Sequence, residues 1–158
     1  MQRRSIVVAL SAPAFLAMGP PASAQSTHPT AHPAQTPRPH GILLIALTTG
    51  LEDIQVMNMA LRQARVAADQ HRLEEVVLLV YGRGVQAFDG GIPARPPQTA
   101  QLAREAMTAG VRVLVCGNAL AQMGLDRARL DPAPTEVVPQ AIVTLTEYAA
   151  RGATLVRY

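Results

Sequence analysis

The sequence predicts an α/β domain: a mostly parallel five-stranded sheet covered by helices on both faces. Three observations carry that reading. From Gly41 onward, apolar runs alternate with amphipathic stretches. Several of the runs are continuous in Val, Ile and Leu, as in strands buried on both sides. The stretches between them repeat apolar residues at steps of three and four.

The strands are expected at 42–48, 76–81, 111–116, 136–138 and 153–156. The first helix opens at Thr49-Gly50-Leu51-Glu52, a capping-box spacing that puts Glu52 and Asp53 near the positive end of the helix dipole. Its core stripe is Ile54, Met57, Leu61, Ala64 and Ala68. A second helix is expected over 99–109, with Pro96 and Pro97 barring an earlier start and Gly110 ending it. One or two helical turns follow at 118–123, with Asn118 as N-cap and Gly124 just beyond. The last helix spans 139–151, opened by proline, buried through Ile142, Leu145 and Ala149, and ended by Gly152. Met57, Met107 and Met123 fall on or near these apolar faces and read as core.

Composition narrows the function. The chain has 158 residues, 14 basic and 11 acidic side chains and one cysteine, which fits one domain plus a short extra segment. Aromatics are 3% with no tryptophan, so a base-stacking platform for single-stranded nucleic acid is not expected. One cysteine forms no internal disulfide and no CxxC zinc site, and no metal site is expected. The pI near 9.7 suggests a nucleic-acid or membrane partner. That suggestion lapses on export, because removing Arg3 and Arg4 takes the 14 basic residues to 12 against 11 acidic.

Residues 1–24 have the three parts of a cleavable signal peptide: Arg3-Arg4, an apolar run from Ile6 to Met18, and the small-residue end Ala22-Ser23-Ala24. The run is short of the roughly 20 residues a spanning helix needs, so no stable membrane span is expected. Gln2-Arg3-Arg4-Ser5-Ile6-Val7 also loosely fits a twin-arginine signal. The implied location is the periplasm. Residues 25–40 are rich in Pro, His, Thr, Ser and Gln without apolar periodicity, which predicts a disordered linker. His28, His32 and His40 lie in that proline-broken tract and present no fixed ligand geometry.

Sites in an open parallel sheet form at the carboxyl ends of the strands. That edge carries Thr48-Thr49-Gly50, Gly82-Arg83-Gly84, Cys116-Gly117-Asn118 and Val138-Pro139. Cys116 ends a strand just before a helix start, where backbone N–H groups favour a thiolate. Gly117 lets the backbone approach a ligand, Asn118 adds a neutral polar group, and Arg83 on the same edge suits an anionic sulfur species. The other reading of Cys116 is a small buried hydrophobe finishing a strand. A Cys–His hydrolase is not expected, since His71 falls at the far end of the first helix and His40 precedes the first strand. Gly82-Arg83-Gly84-Val85-Gln86-Ala87 formally fits GxGxxA but follows the second strand with no helix start, so it reads as a tight turn. Residues 86–98 read as a long mobile loop, a lid or a subunit contact. Asp89 and Glu136 read as solvated carboxylates.

Residues 41–158 resemble the DsrE/DsrF/TusD-like family of sulfur-relay proteins. The likeness is carried by Thr48-Thr49-Gly50, by Tyr81-Gly82-Arg83-Gly84-Val85, by the block from Gly110 through Cys116-Gly117-Asn118-Ala119-Leu120 to Gly124-Leu125, and by Glu136-Val137-Val138-Pro139. The resemblance implies a three-layer α/β/α fold, assembly as a homo-oligomer (trimer or hexamer), and no cofactor. It implies that Cys116 accepts a persulfide and passes sulfur between a donor and an acceptor protein, with Gly117 and Asn118 as its backbone surroundings. Thr48, Thr49 and Arg83 complete the expected binding set. Two rivals stand beside it: a noncatalytic oligomeric scaffold or binding module with an inert Cys116, and a small-molecule enzyme whose crevice is lined by Thr48, Arg83 and Asn118.

Overall fold

The computed structural model describes residues 39–158. The expected signal peptide 1–24 and residues 25–38 of the expected linker, with His28 and His32, lie outside the described residues. The elements in chain order are β1 (Ile42–Leu47), α1 (Ile54–Asp69), β2 (Glu75–Val80), α2 (Pro97–Thr108), β3 (Arg112–Cys116), α3 (Gly117–Gln122), β4 (Glu136–Val138), α4 (Ala141–Ala150) and β5 (Thr154–Arg157). Short 3-10 turns occupy Leu51–Asp53, Gly82–Ala87 and Arg127–Arg129. No described helix is long and apolar enough to cross a membrane.

The five strands form one sheet in the order β4-β3-β2-β1-β5, every neighbouring pair parallel. From β1 to β4 the chain steps steadily toward one edge, so right-handed crossovers put α1 and α2 on one face. A buried hydrogen bond from Thr99 Oγ1 to Asn58 Oδ1, 2.8 Å long, joins those two helices. The return from β4 to β5 crosses the whole sheet, and α4 makes that crossing on the opposite face. The strand register places Leu44, Val77, Arg112 and Leu155 in one row, and alternation points that row toward α4. Tyr148 on α4 meets the row from above, its hydroxyl accepting from Arg112 Nη1 at 3.0 Å.

Apart from the start of α1, which lies four to five residues beyond the expected Thr49 opening, the elements match expectation to within a residue or two, and the differences have physical causes. The cap of α1 is Asp53, whose carboxylate accepts from Val56 N at 3.0 Å, while Glu52 folds back onto Gly50 N. Helix α2 starts at Pro97 rather than Thr99, because proline fits the first helical position, where no N–H partner is required. The cap of α3 is Cys116, not Asn118. The expected inner face of α4 is its outer one: Ala141, Thr144 and Tyr148 are buried, while Ile142 and Ala149 are exposed and Leu145 is half-buried. Residues 86–98 are not a free lid. Ala87, Phe88 and Asp89 are buried. Asp89 accepts from Gly91 N at 2.8 Å and lies 3.5 Å from Arg129, while the Arg95 guanidinium bonds to Asp131 and to the Ala87 carbonyl. Asp89 and Glu136 are therefore both paired, the latter with Arg112 at 3.7 Å.

Glu75 anchors the amino edge. Its carboxylate accepts from Tyr148 at 2.8 Å and from Arg112 and Arg151 at 2.7 Å each. Burial works against the charge, but these three donors outweigh it and hold the carboxyl below its ordinary value of 4.5. A carboxyl depressed by folding contributes stability above its unfolded pKa and loses it as pH falls through the folded one. Glu75→Gln is therefore expected to cost about 1 kcal/mol at pH 7, discounted for the exposed arginines. In urea melts the gap to the parent protein should narrow as pH falls below 4.5. Gly84 N donates to the Thr48 and Tyr81 carbonyls, and a Cβ on Gly84 would strike the Leu47 carbonyl oxygen. Since that obstacle is backbone, Gly84→Ala should cost about 2–4 kcal/mol in the same melts.

Candidate functional site

Cys116 is the last residue of β3, whose Val113, Leu114 and Val115 are buried. It pairs with Val138 of β4, and just beyond, Asn118 N donates to the Pro139 carbonyl at 3.1 Å. The turn after β3 is thus pinned to the turn after β4. The Cys116 sulfur accepts from Ala119 N at 3.4 Å, replacing the oxygen that caps most helices. Gly117 is closely covered: a Cβ there would lie 2.5 Å from the Arg127 guanidinium, the movable end of a long side chain, and 3.3 Å from the Val138 carbonyl oxygen.

Cys116 is 4% exposed. The little surface it has opens into a cavity of about 360 Å³ lined by Tyr81, Gly82, Cys116, Asn118, Ala119, Gln122, Gln140, Ala141, Ile142 and Leu145. Three elements build this space. The end of β2 supplies Tyr81 and Gly82, α3 supplies Asn118 and Gln122 one turn apart on the same side, and the start of α4 supplies the aliphatic wall. No carboxylate, guanidinium or imidazole lines it. Three side-chain amides and a phenol supply neutral donors and acceptors. An atom bonded to Cys116 Sγ would project into a space that is mostly apolar with amides at its border. Among the described residues no general base lines the cavity beside the thiol.

Of the residues expected to form the site, Cys116 and Asn118 share the cavity, and Gly117 forms the backbone turn between them. Thr48, Thr49 and Arg83 do not line it: β2 lies between β1 and β3, and Arg83, although it follows β2, turns toward Glu52. Thr48 Oγ1 donates to the Tyr158 backbone oxygen at 2.7 Å, and the N–H groups of Thr48 and Thr49 converge on the same atom. Tyr158 thus fills the crevice between β1 and β5, the point where the strand order reverses and ligands of open sheets commonly bind. Arg83 reaches 3.3 Å from Glu52. The backbone N–H groups of Glu52 itself and of Gly50, with Arg83 adding less, keep that carboxyl below its ordinary value. His71 lies at the amino edge, in a separate cleft of about 350 Å³ with Glu74, Glu75 and Arg112. Gln122 and Gln140 were missed by sequence reasoning. Gln122 carries a signal, four residues after Asn118 in a helix; Gln140 carries none until β4 is placed beside β3.

A family model described as the DsrE/DsrF-like family matches residues 27–158. No curated protein matches the chain. Solved structures share the fold at low identity. A Methanobacterium thermoautotrophicum protein of unknown function, MTH1491, is 18% identical, with TM-score 0.57 over 75% of this chain and 99% of its own. The conserved protein BT1422 of Bacteroides thetaiotaomicron is 20% identical, with TM-score 0.58 over 74% and 94%. The ychN protein of E. coli is 17% identical, with TM-score 0.59 over 75% and 99%.

Because Cys116 is only 4% exposed, it should sort thiol reagents by size. Iodoacetamide is expected to alkylate the folded protein slowly and a polymer-linked maleimide only after unfolding, both read by intact mass. Equal rates for the two would mean that the cysteine is reached from open solvent.

Proposed function

The chain belongs to the DsrE/DsrF-like family, and from that premise we propose that it binds or relays sulfur as a persulfide on Cys116. The family is associated with sulfur relay, and the observation that carries the reading is the thiol at the floor of an amide-bordered cavity at the carboxyl edge. In the first step the Cys116 thiolate attacks the outer sulfur of a donor persulfide. The sulfur–sulfur bond of the donor breaks, its electron pair leaves with the donor thiolate, and no oxidant is consumed. In the second step an acceptor thiolate takes the outer sulfur and returns Cys116 as thiolate. Ala119 N–H, already directed at the inner sulfur, stabilises it whenever it is anionic. Asn118, Gln122 and Gln140 are the groups that would hold the outer sulfur.

The signal-like residues 1–24 support a periplasmic site of action, and the family resemblance supports a homo-oligomer, trimer or hexamer, with separate sulfur donor and acceptor proteins. One observation favours a second reading. A cysteine that is 4% exposed and caps a helix also fits an inert structural role, in a noncatalytic scaffold or ligand-binding module.

Treatment with polysulfide should add mass in whole sulfur atoms, about 32 Da each, removable by a reductant and absent in Cys116→Ala. No adduct on a folded protein whose thiol also resists iodoacetamide would overturn the relay reading in favour of the scaffold.

A further inference from the structure

The outer surface of α4 and β5 is apolar where an isolated domain has no use for it. Ile142, Val143 and Leu155 are 62%, 50% and 55% exposed. Between the helix and the edge strand runs a groove of about 230 Å³ lined by Leu44, Leu145, Thr146, Ala149, Ala153 and Leu155, without a charged residue. One surface thus carries a ridge and an apolar slot side by side, the arrangement an isologous contact requires.

Charge selects the occupant. Leu145, Thr146 and Ala149 turn toward β5, so helical geometry puts Val143 and Glu147 on the opposite flank of α4. Glu147 is exposed and has no ion-pair partner among the described residues. Arg157 ends β5 at the carboxyl edge, on the same face as Leu155, with only a 3.5 Å contact to the Thr48 hydroxyl and no carboxylate partner among the described residues. Because α4 runs antiparallel to β5, Glu147 and Arg157 occupy opposite corners of the apolar patch. A two-fold axis through the patch brings the acid of each copy to the base of the other.

We propose that a second copy of this chain docks on the α4–β5 face about such a two-fold axis, with Ile142 and Val143 set against the partner's groove and Glu147 paired to the partner's Arg157. The apolar centre is on the order of a few hundred Å². A stable contact needs about 800 Å² per copy, so the polar corners belong to the interface. Exposed pairs contribute little affinity and mainly set register. The contact also borders the Cys116 cavity, which shares Ile142 and Leu145 with this surface. The inference rests on the reading that copies associate, and it distinguishes the possible assemblies: a hexamer of two stacked rings contains two-fold axes, whereas a lone trimer has none.

The test is sedimentation equilibrium of the purified protein at low salt. Glu147→Arg and Arg157→Glu should each weaken the association about tenfold, and the double charge swap should restore it. Val143→Asp with Leu155→Asp should remove this contact while circular dichroism stays native, since both side chains are exposed. Monomer in the parent protein overturns the inference together with the homo-oligomer reading. An oligomer indifferent to the aspartates, or single swaps that the double swap does not rescue, overturns this face alone. Neither result bears on the sulfur adduct at Cys116.

Discussion

A single ten-residue helix is all that one face of the sheet has for cover. Since the chain steps from β1 to β4 in a single direction and then returns to pair β5 with β1, the ten residues of α4 are what the second face receives. The helix cannot shelter every strand beneath it. It closes over the beginnings of β2 and β3 through Tyr148, Arg112 and Glu75, and its start forms a wall beside Cys116. Toward β1 and β5 it leaves a slot. The anchored edge, the cavity and the uncovered apolar surface are three results of that one crossing.

The position of Cys116 follows from backbone geometry as much as from chemistry. A strand that ends where a helix begins must turn within one residue, and here Gly117 makes the turn under the Arg127 guanidinium. The residue before that glycine must cap the helix with its own side chain. Sulfur accepts hydrogen bonds weakly, so a neutral thiol caps poorly and an anionic sulfur caps well. The hydrogen bond that the sulfur accepts from Ala119 N is compatible with a carrier, and it gives the unmodified thiol a structural duty besides.

Much of this architecture was legible in the sequence. Continuous runs such as Val76–Val80 and Val113–Val115 announce strands buried on both sides, and Gly110, Gly124 and Gly152, each in the left-handed region, mark chain reversals. Cys116 at the carboxyl edge was equally legible, because strand direction alone puts it there. The face of α4 was not. Its sequence is apolar nearly all the way round, so periodicity cannot tell which side meets the sheet, and Tyr148 decides it through partners on β2 and β3 far away in sequence. Thr48 and Arg83 share an edge with Cys116 but not a cavity: strand order, which the sequence does not show, puts β2 between Thr48 and Cys116, and Arg83 is drawn to Glu52. The segment after Gly84 looked free because Phe88 and Asp89 carry no period, yet their burial and the Arg95 and Arg129 contacts hold it down.

The pairing of the first strand with the last sets the order in which this domain can assemble. Leu43 waits for Thr154, so the interior edge of β1 stays open until nearly the entire chain is available. Loop closure over that distance is entropically expensive, and parallel pairings of this kind form late. During synthesis the nascent chain therefore exposes one unpaired edge of a strongly apolar strand for most of its elongation. Its exposure to aggregation is fixed by strand order, before any question of what the thiol does, and holding factors that bind extended apolar segments would meet β1 first.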